Sequence, residues 1–153
     1  MSTEINTNIT SAPALASAAE NKLIIVMADS LPRGAAANHC AVLATGLVAR
    51  HPEIMGRNLI TSDGQEILGF TKQPIVVLAA RPAQDLNDFA REAQSLGCTT
   101  LVFLGRAQGM RSYDAYVESV STTPAAKLDV DACLIYGPKK AVNKLAGSLP
   151  SLK

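Results

Sequence analysis

The sequence predicts a three-layer α/β/α single domain with a mainly parallel central sheet of about four strands plus a small hairpin. Three observations carry that prediction. Short segments rich in β-branched and aliphatic residues recur at residues 23–28, 74–80, 99–104 and 130–136, the first two as continuous apolar runs. Runs of this kind, without polar alternation, suit strands covered on both faces. Helical apolar patterns stand between them, and strands alternating with helices build a sheet flanked by helix layers. The chain has 153 residues, the length of one core.

Residues 1–21 carry Ser, Thr, Asn and Ala with no core-sized apolar pattern, and are expected to be a flexible leader with a short helical stretch around residues 14–19. The domain proper is expected over residues 22–153. After the first strand, the turn Leu31-Pro32-Arg33-Gly34 opens a long helix that ends near Arg50. Within it Cys40, Leu43, Ala44, Leu47 and Val48 fall on one apolar stripe. His51-Pro52 ends it, because the residue before proline disfavours the helical region.

Asp63-Gly64 between residues 58–62 and 65–69 signals a tight hairpin turn. The strand at 74–80 follows, then a helix over 82–96 with Leu86, Phe89, Ala90, Ala93 and Leu96 inward. Gly97 stands at its left-handed C-terminal position. The third strand, 99–104, ends at Gly105. A helix over 112–120 has Tyr113, Tyr116, Val117 and Val120 on one stripe. The fourth strand, 130–136, leads to a closing helix over 139–146 with Val142, Leu145 and Ala146 inward.

Composition narrows the function classes. Lys and Arg total 14 against 13 Asp and Glu, a net charge of +1. That balance argues against a broad nucleic-acid footprint, which shows as a clear basic excess. The N-terminus lacks the basic start and apolar middle of a secretory signal, and no apolar run approaches membrane-spanning length, so no membrane partner is expected. Three widely spaced cysteines, Cys40, Cys98 and Cys133, do not suggest a disulfide framework. A reduced cytoplasmic protein is the economical expectation. No Rossmann fingerprint, phosphate loop, CxxC pair or HExxH is present, and neither a metal nor a cofactor is expected.

The candidate site gathers around the first strand's carboxyl end, where open α/β sheets bind ligands. Asp29 lies there and suits a base or a substrate-orienting carboxylate. Arg33 and Gly34 open the long helix, whose free N–H groups attract anions. Asn38 and His39 follow one turn on, with His39 expected to face the turn or the cleft. His39 and Cys40 are adjacent, but neighbouring helical positions point about 100° apart, which disfavours a thiol–imidazole pair. Thr71, before the second long strand, and Arg111, after the third, are further ligand candidates. A guanidinium suits carboxylate or phosphate. Lys139, Lys140, Lys144 and Lys153 form a modest basic patch.

Several segments together resemble a known family. They are the strand and turn ending Ala28-Asp29-Ser30-Leu31-Pro32-Arg33-Gly34 with the Ala-rich stretch to His39-Cys40, and Gly69-Phe70-Thr71-Lys72-Gln73-Pro74 after the hairpin. Ser112-Tyr113-Asp114-Ala115-Tyr116 and the tail from Tyr136-Gly137-Pro138 to Gly147-Ser148-Leu149 complete the set. The chain resembles the uncharacterised bacterial family called domain of unknown function 2000 over residues 22–152.

That family is similar in fold to peptidyl-tRNA hydrolase II, which cleaves the ester joining a peptide to tRNA. Asp29, Gly34 and Cys40 match the hydrolase's opening, and the spacing of Gly137-Pro138 to Gly147-Ser148-Leu149 matches its close. The hydrolase's helix lysine falls on Ala35, and its helix glutamine on His39. Its segment before the last strand has no counterpart in residues 122–131. The resemblance therefore implies the fold, with tRNA as partner by analogy alone, and a homodimer, since the related hydrolases are dimeric. The leading expectation is a domain without the hydrolase chemistry that binds a small anionic ligand or a partner. The alternatives are an esterase using His39 as base and a non-catalytic regulatory homodimer.

Overall fold

The computed structural model describes residues 20–153. The leader, apart from its last two residues, and its helical stretch at 14–19 lie outside the described residues. The first strand, β1 (Asn21–Met27), begins inside the expected leader boundary. It is followed by α1 (Arg33–Arg50), a one-turn 3-10 helix (Pro52–Ile54), and the short hairpin β2 (Leu59–Ile60) and β3 (Glu66–Ile67). Then come β4 (Ile75–Ala79), α2 (Leu86–Ser95), β5 (Thr99–Leu104) and α3 (Tyr113–Ser121). Finally β6 (Val130–Pro138) runs into α4 (Lys139–Ala146).

The local chemistry explains the boundaries. Asp85 caps α2, its Oδ1 accepting from the N–H groups of Asn87 and Asp88 at 2.8 and 3.2 Å. That cap starts α2 at Leu86, later than the apolar pattern alone suggests, because residues 81–84 form a turn closed by Gln84 N–H on the Arg81 carbonyl. Gly97, with φ of 80°, stands after α2 in the left-handed conformation that glycine adopts without steric cost. Ser112 caps α3 through a bond from the Ala115 N–H at 3.1 Å.

The sheet runs in the order β4-β1-β6-β5. β1 and β4 pair in parallel, whereas β6 runs antiparallel to both β1 and β5. Three strands therefore point the same way, and β6 is inserted against them. The expectation of a mainly parallel sheet holds for strand direction but not for pairing, where only β1–β4 is parallel. The C-terminal tail extends the β4 edge: Ala79 N–H donates to the Pro150 carbonyl, and Leu152 N–H to that of Val77.

Alternate residues of β1 and β6 feed two cores, one per sheet face. Ile24, Val26, Cys133 and Ile135 pack with Phe89, Ala93 and Val142 from α2 and α4. Leu23, Ile25, Met27 and Leu134 pack with Leu43 and Leu47 from α1. These two layers around the central strands are the predicted α/β/α sandwich.

Candidate functional site

The carboxyl ends of β1 and β4 lie side by side because the two strands are parallel and in register, Met27 opposite Ala79. Just beyond them Ala80 N–H donates to the Met27 carbonyl at 2.9 Å, so the chain after each strand leaves from the same point. Asp29 and Arg81 are the first charged residues on the two exits. Both are exposed and line a cleft of about 390 Å3, together with Ser30, Gln84, Leu86 and Val130. A second cavity of similar volume shares Asp29 and Arg81 and reaches Lys153.

Arg81 is anchored without being neutralised. Its backbone N–H donates to Gln84 Oε1 at 3.1 Å, and its Nη2 to Ser148 Oγ at 2.6 Å. Among the described residues neither Arg81 nor Asp29 takes part in an ion pair. A guanidinium offers five N–H donors, and most of those on Arg81 remain available.

The other face of this sheet end holds a buried histidine beside a partly exposed carboxylate. The register between β5 and β6 slips at Phe103–Leu104, which pair with Ala132 and Val130 and leave Asp131 as the extra residue of a β-bulge. Bulges bend a strand and re-aim a side chain. Here Asp131 Oδ2 lies 3.8 Å from His39 Nε2 on α1, while the Asp131 carbonyl accepts from Ala28 N–H. His39 is fully buried, and neither ring nitrogen has a hydrogen-bond partner. Its ring stacks on Phe103 with centroids 3.7 Å apart and planes 16° from parallel. Gly105 makes room for the carboxylate, since a Cβ there would lie 2.8 Å from Asp131 Oδ2.

His39 therefore points into the core, not toward the turn or the cleft as expected. The buried face of α1 is Ala36, His39, Leu43 and Leu47, and Cys40, assigned to the apolar stripe, is only half-buried. Asp29 and His39 share one end of the sheet but not one pocket. The Asp29 cleft is walled by Leu86 of the α2-side core, and His39 stacks on Phe103 of the α1-side core.

The remaining candidates scatter. Arg33, Gly34 and Asn38 are exposed on the first turns of α1 and do not line the Asp29 cleft. Pro32 provides no side-chain cap there, and the first turn holds no acid. Arg111 is exposed between Met110 and Ser112, which line an aromatic cavity of about 370 Å3 with Phe103, Tyr113 and Tyr116. Burial, with the neighbouring Tyr113 second, raises the Tyr116 phenol. Thr71 lies at the opposite end of the sheet, where its hydroxyl is 3.3 Å from the Ile54 carbonyl and accepts from Gln73 N–H at 3.0 Å. Its bonds there are local and backbone-directed.

Arg106, the other guanidinium after β5, is committed to its neighbours through Nε and Nη1. It binds both Asp129 oxygens, through Nε at 2.6 Å and its backbone N–H at 2.8 Å, and reaches Ser119 and Thr123 through Nη1. This cluster ties α3 to the start of β6. Sequence reasoning missed Arg81 and Asp131. Arg81 carries the same signal as Asp29, a charged residue at a strand's carboxyl end, whereas a bulge leaves no mark that single-sequence patterning detects.

No group of three or more His, Cys, Asp or Glu among the described residues is placed to hold a metal ion. No helix among them is long and apolar enough to cross a membrane. Fold and site together define a small three-layer α/β domain with an open charged cleft at the strands' carboxyl ends.

The sequence profile of the family described as protein of unknown function (DUF2000) matches residues 21–153, and the chain belongs to that family. The fold is similar to the solved structure of a protein of unknown function, Atu0240, from Agrobacterium tumefaciens strain C58. That match has a TM-score of 0.77 at 21% identity and covers 86% of this chain and 97% of the other. No curated protein matches the chain.

Proposed function

We propose that this protein binds a small anionic ligand in the cleft between Asp29 and Arg81, on a peptidyl-tRNA-hydrolase-II-like scaffold that lacks the hydrolase's chemistry. One observation carries the reading: the Arg81 guanidinium is held by Ser148, and its backbone by Gln84, yet it has no carboxylate partner among the described residues. A positioned guanidinium with free donors suits a carboxylate or phosphate, which it binds in bidentate fashion. Asp29, which lines the same cleft, accepts from a hydroxyl or amine of the same ligand, which selects acids that also carry a donor.

The esterase alternative fares worse. A general base must come within hydrogen-bond reach of the proton it removes. Both His39 nitrogens are sealed in the core, so His39 acts here by packing. Ala35, at the position of the hydrolase's lysine, supplies no proton-transfer group.

A homodimer has its own support. Ile60 and Leu68 on the hairpin are 66% and 77% exposed, an apolar surface of the kind that marks interfaces. The three unpaired cysteines suit a reducing, cytoplasmic setting.

Isothermal titration against carboxylates and phosphates tests the binding reading. Arg81→Ala is expected to weaken binding about tenfold or more, the worth of a charge-assisted pair. Arg111→Ala is expected to leave it unchanged. Binding indifferent to Arg81→Ala overturns the proposal.

A further inference from the structure

The opposite end of the sheet holds a second charged region that the Asp29 cleft does not use. Lys22 is the second residue of β1, Lys72 precedes β4 and Lys139 follows β6, so the topology brings three lysines to one rim. They surround a cavity of about 500 Å3 with Asn143 and an apolar floor of Pro74 and Val76. No carboxylate lines it. In a chain of net charge +1, this is a concentrated positive field.

The rim is organised. Lys22 Nζ donates to Asn143 Oδ1 at 2.7 Å, which fixes one ammonium and leaves it two further donors. Gln73, almost fully buried on the wall, is held by a 3.4 Å bond from its side-chain amide to the Asn21 carbonyl. Lys139 opens α4, whose first turn has neither a side-chain cap nor an acid. Lys72 acts at a distance on Glu53, but the close ion pair of Glu53 is with His51 at 2.8 Å.

Lys72 also lines an adjoining cavity of about 450 Å3, whose other walls include Phe70, Leu59 and Met55. Phe70 is 75% exposed, an aromatic face presented to solvent beside the lysine rim. Cation and flat ring, joined by one shared residue, match a ligand that is anionic at one end and planar at the other.

We infer that the two cavities form one site for a free nucleoside phosphate, with its phosphates among Lys22, Lys72 and Lys139 and its base against Phe70. Ammonium groups bind phosphate as point charges, and an exposed aromatic side chain stacks on any base. The site is separate from the Asp29 cleft and does not depend on it.

Titration of the full chain with ADP, pyrophosphate and adenosine tests this, with circular dichroism confirming that each variant is folded. ADP is expected to bind more tightly than pyrophosphate or adenosine. Lys72→Gln is expected to weaken ADP and pyrophosphate about tenfold. Phe70→Ala is expected to weaken ADP while leaving pyrophosphate unchanged, and Arg81→Ala to leave the Lys72- and Phe70-dependent ADP binding unchanged. No ADP binding at millimolar concentration, or binding indifferent to both Lys72→Gln and Phe70→Ala, overturns the inference. Loss of ADP binding in Arg81→Ala overturns it too, by placing the ligand in the other cleft. A single-stranded oligonucleotide without terminal phosphates that binds more tightly than ADP makes nucleic acid the ligand and overturns the small-molecule assignment.

Discussion

His39 Nε2 faces Asp131 Oδ2 across 3.8 Å, too far for a hydrogen bond and close enough for charge to matter. The imidazole is fully buried, while the Asp131 side chain is 32% exposed and stays solvated. Leaving both ring nitrogens unbonded costs about 1–3 kcal/mol for each unsatisfied group. His39→Leu removes that cost while filling much of the same space against Phe103. It is expected to leave stability unchanged or raise it by about 1 kcal/mol. His39→Ala opens a cavity and is expected to cost about 2–4 kcal/mol. Urea unfolding of the two variants checks the contrast; a loss for Leu as large as that for Ala would show that the imidazole's polarity, and not its volume, is what the core needs.

Gly105 and Asp131 are coupled sterically. A methyl group at Gly105 meets the Asp131 carboxylate at 2.8 and 3.0 Å, so Gly105→Ala is expected to destabilise by about 1–3 kcal/mol. In an Asp131→Ala background the obstacle is gone, and the same substitution is expected to cost less. A double-mutant cycle measures the difference. Additive effects would mean that the bulge does not hold the carboxylate over Gly105.

Acid sensitivity is expected to centre on Asp129. Burial alone raises its carboxyl, but the side-chain and backbone hydrogen bonds from Arg106 outweigh burial and hold it below its ordinary value. A depressed folded-state pKa contributes stability above the unfolded value of about 3.9, lost as pH falls through the folded value. Wild-type stability is therefore expected to fall below about pH 4. Arg106→Ala should show a shallower decline from a lower starting point. Thermal melts from pH 2.5 to 6 read this directly, and parallel curves would remove Asp129 from the account.

Thiol reactivity follows burial. Burial raises all three thiols, Cys133 to about 12. The thiolate is the reactive form, so Cys133 and Cys98 are expected to resist a disulfide reagent in the native state and half-buried Cys40 to react slowly. All three should react once the chain unfolds. Rapid native labelling of Cys40 would identify an activated thiol and revive the nucleophile reading.

Most of the fold was legible because the strands are continuous apolar runs and the helices have one-sided stripes. Strand direction was not, since an apolar run such as β6 reads the same in either orientation. The site was half legible. Asp29 follows from the rule that ligands gather beyond strand ends, and the same rule applied to the β4 exit reaches Arg81. His39 misled because a helical stripe containing Leu43 and Leu47 can be phased through residue 39 or residue 40. Hydrophobicity favoured Cys40, while packing against Phe103 selected His39. Asp131 was out of reach, because its role arises from a bulge between two strands distant in sequence from α1.

The central claim is that the Asp29–Arg81 cleft is a ligand site. Amide chemical-shift mapping during titration with small carboxylates and phosphates tests it most directly. The account predicts saturable shifts at residues 28–30, 80–84 and 148 for acids that carry a donor group, abolished by Arg81→Ala. Saturable binding of those acids with shifts confined to the region around Lys22, Lys72 and Lys139, or no saturable shift for any acid, would contradict it.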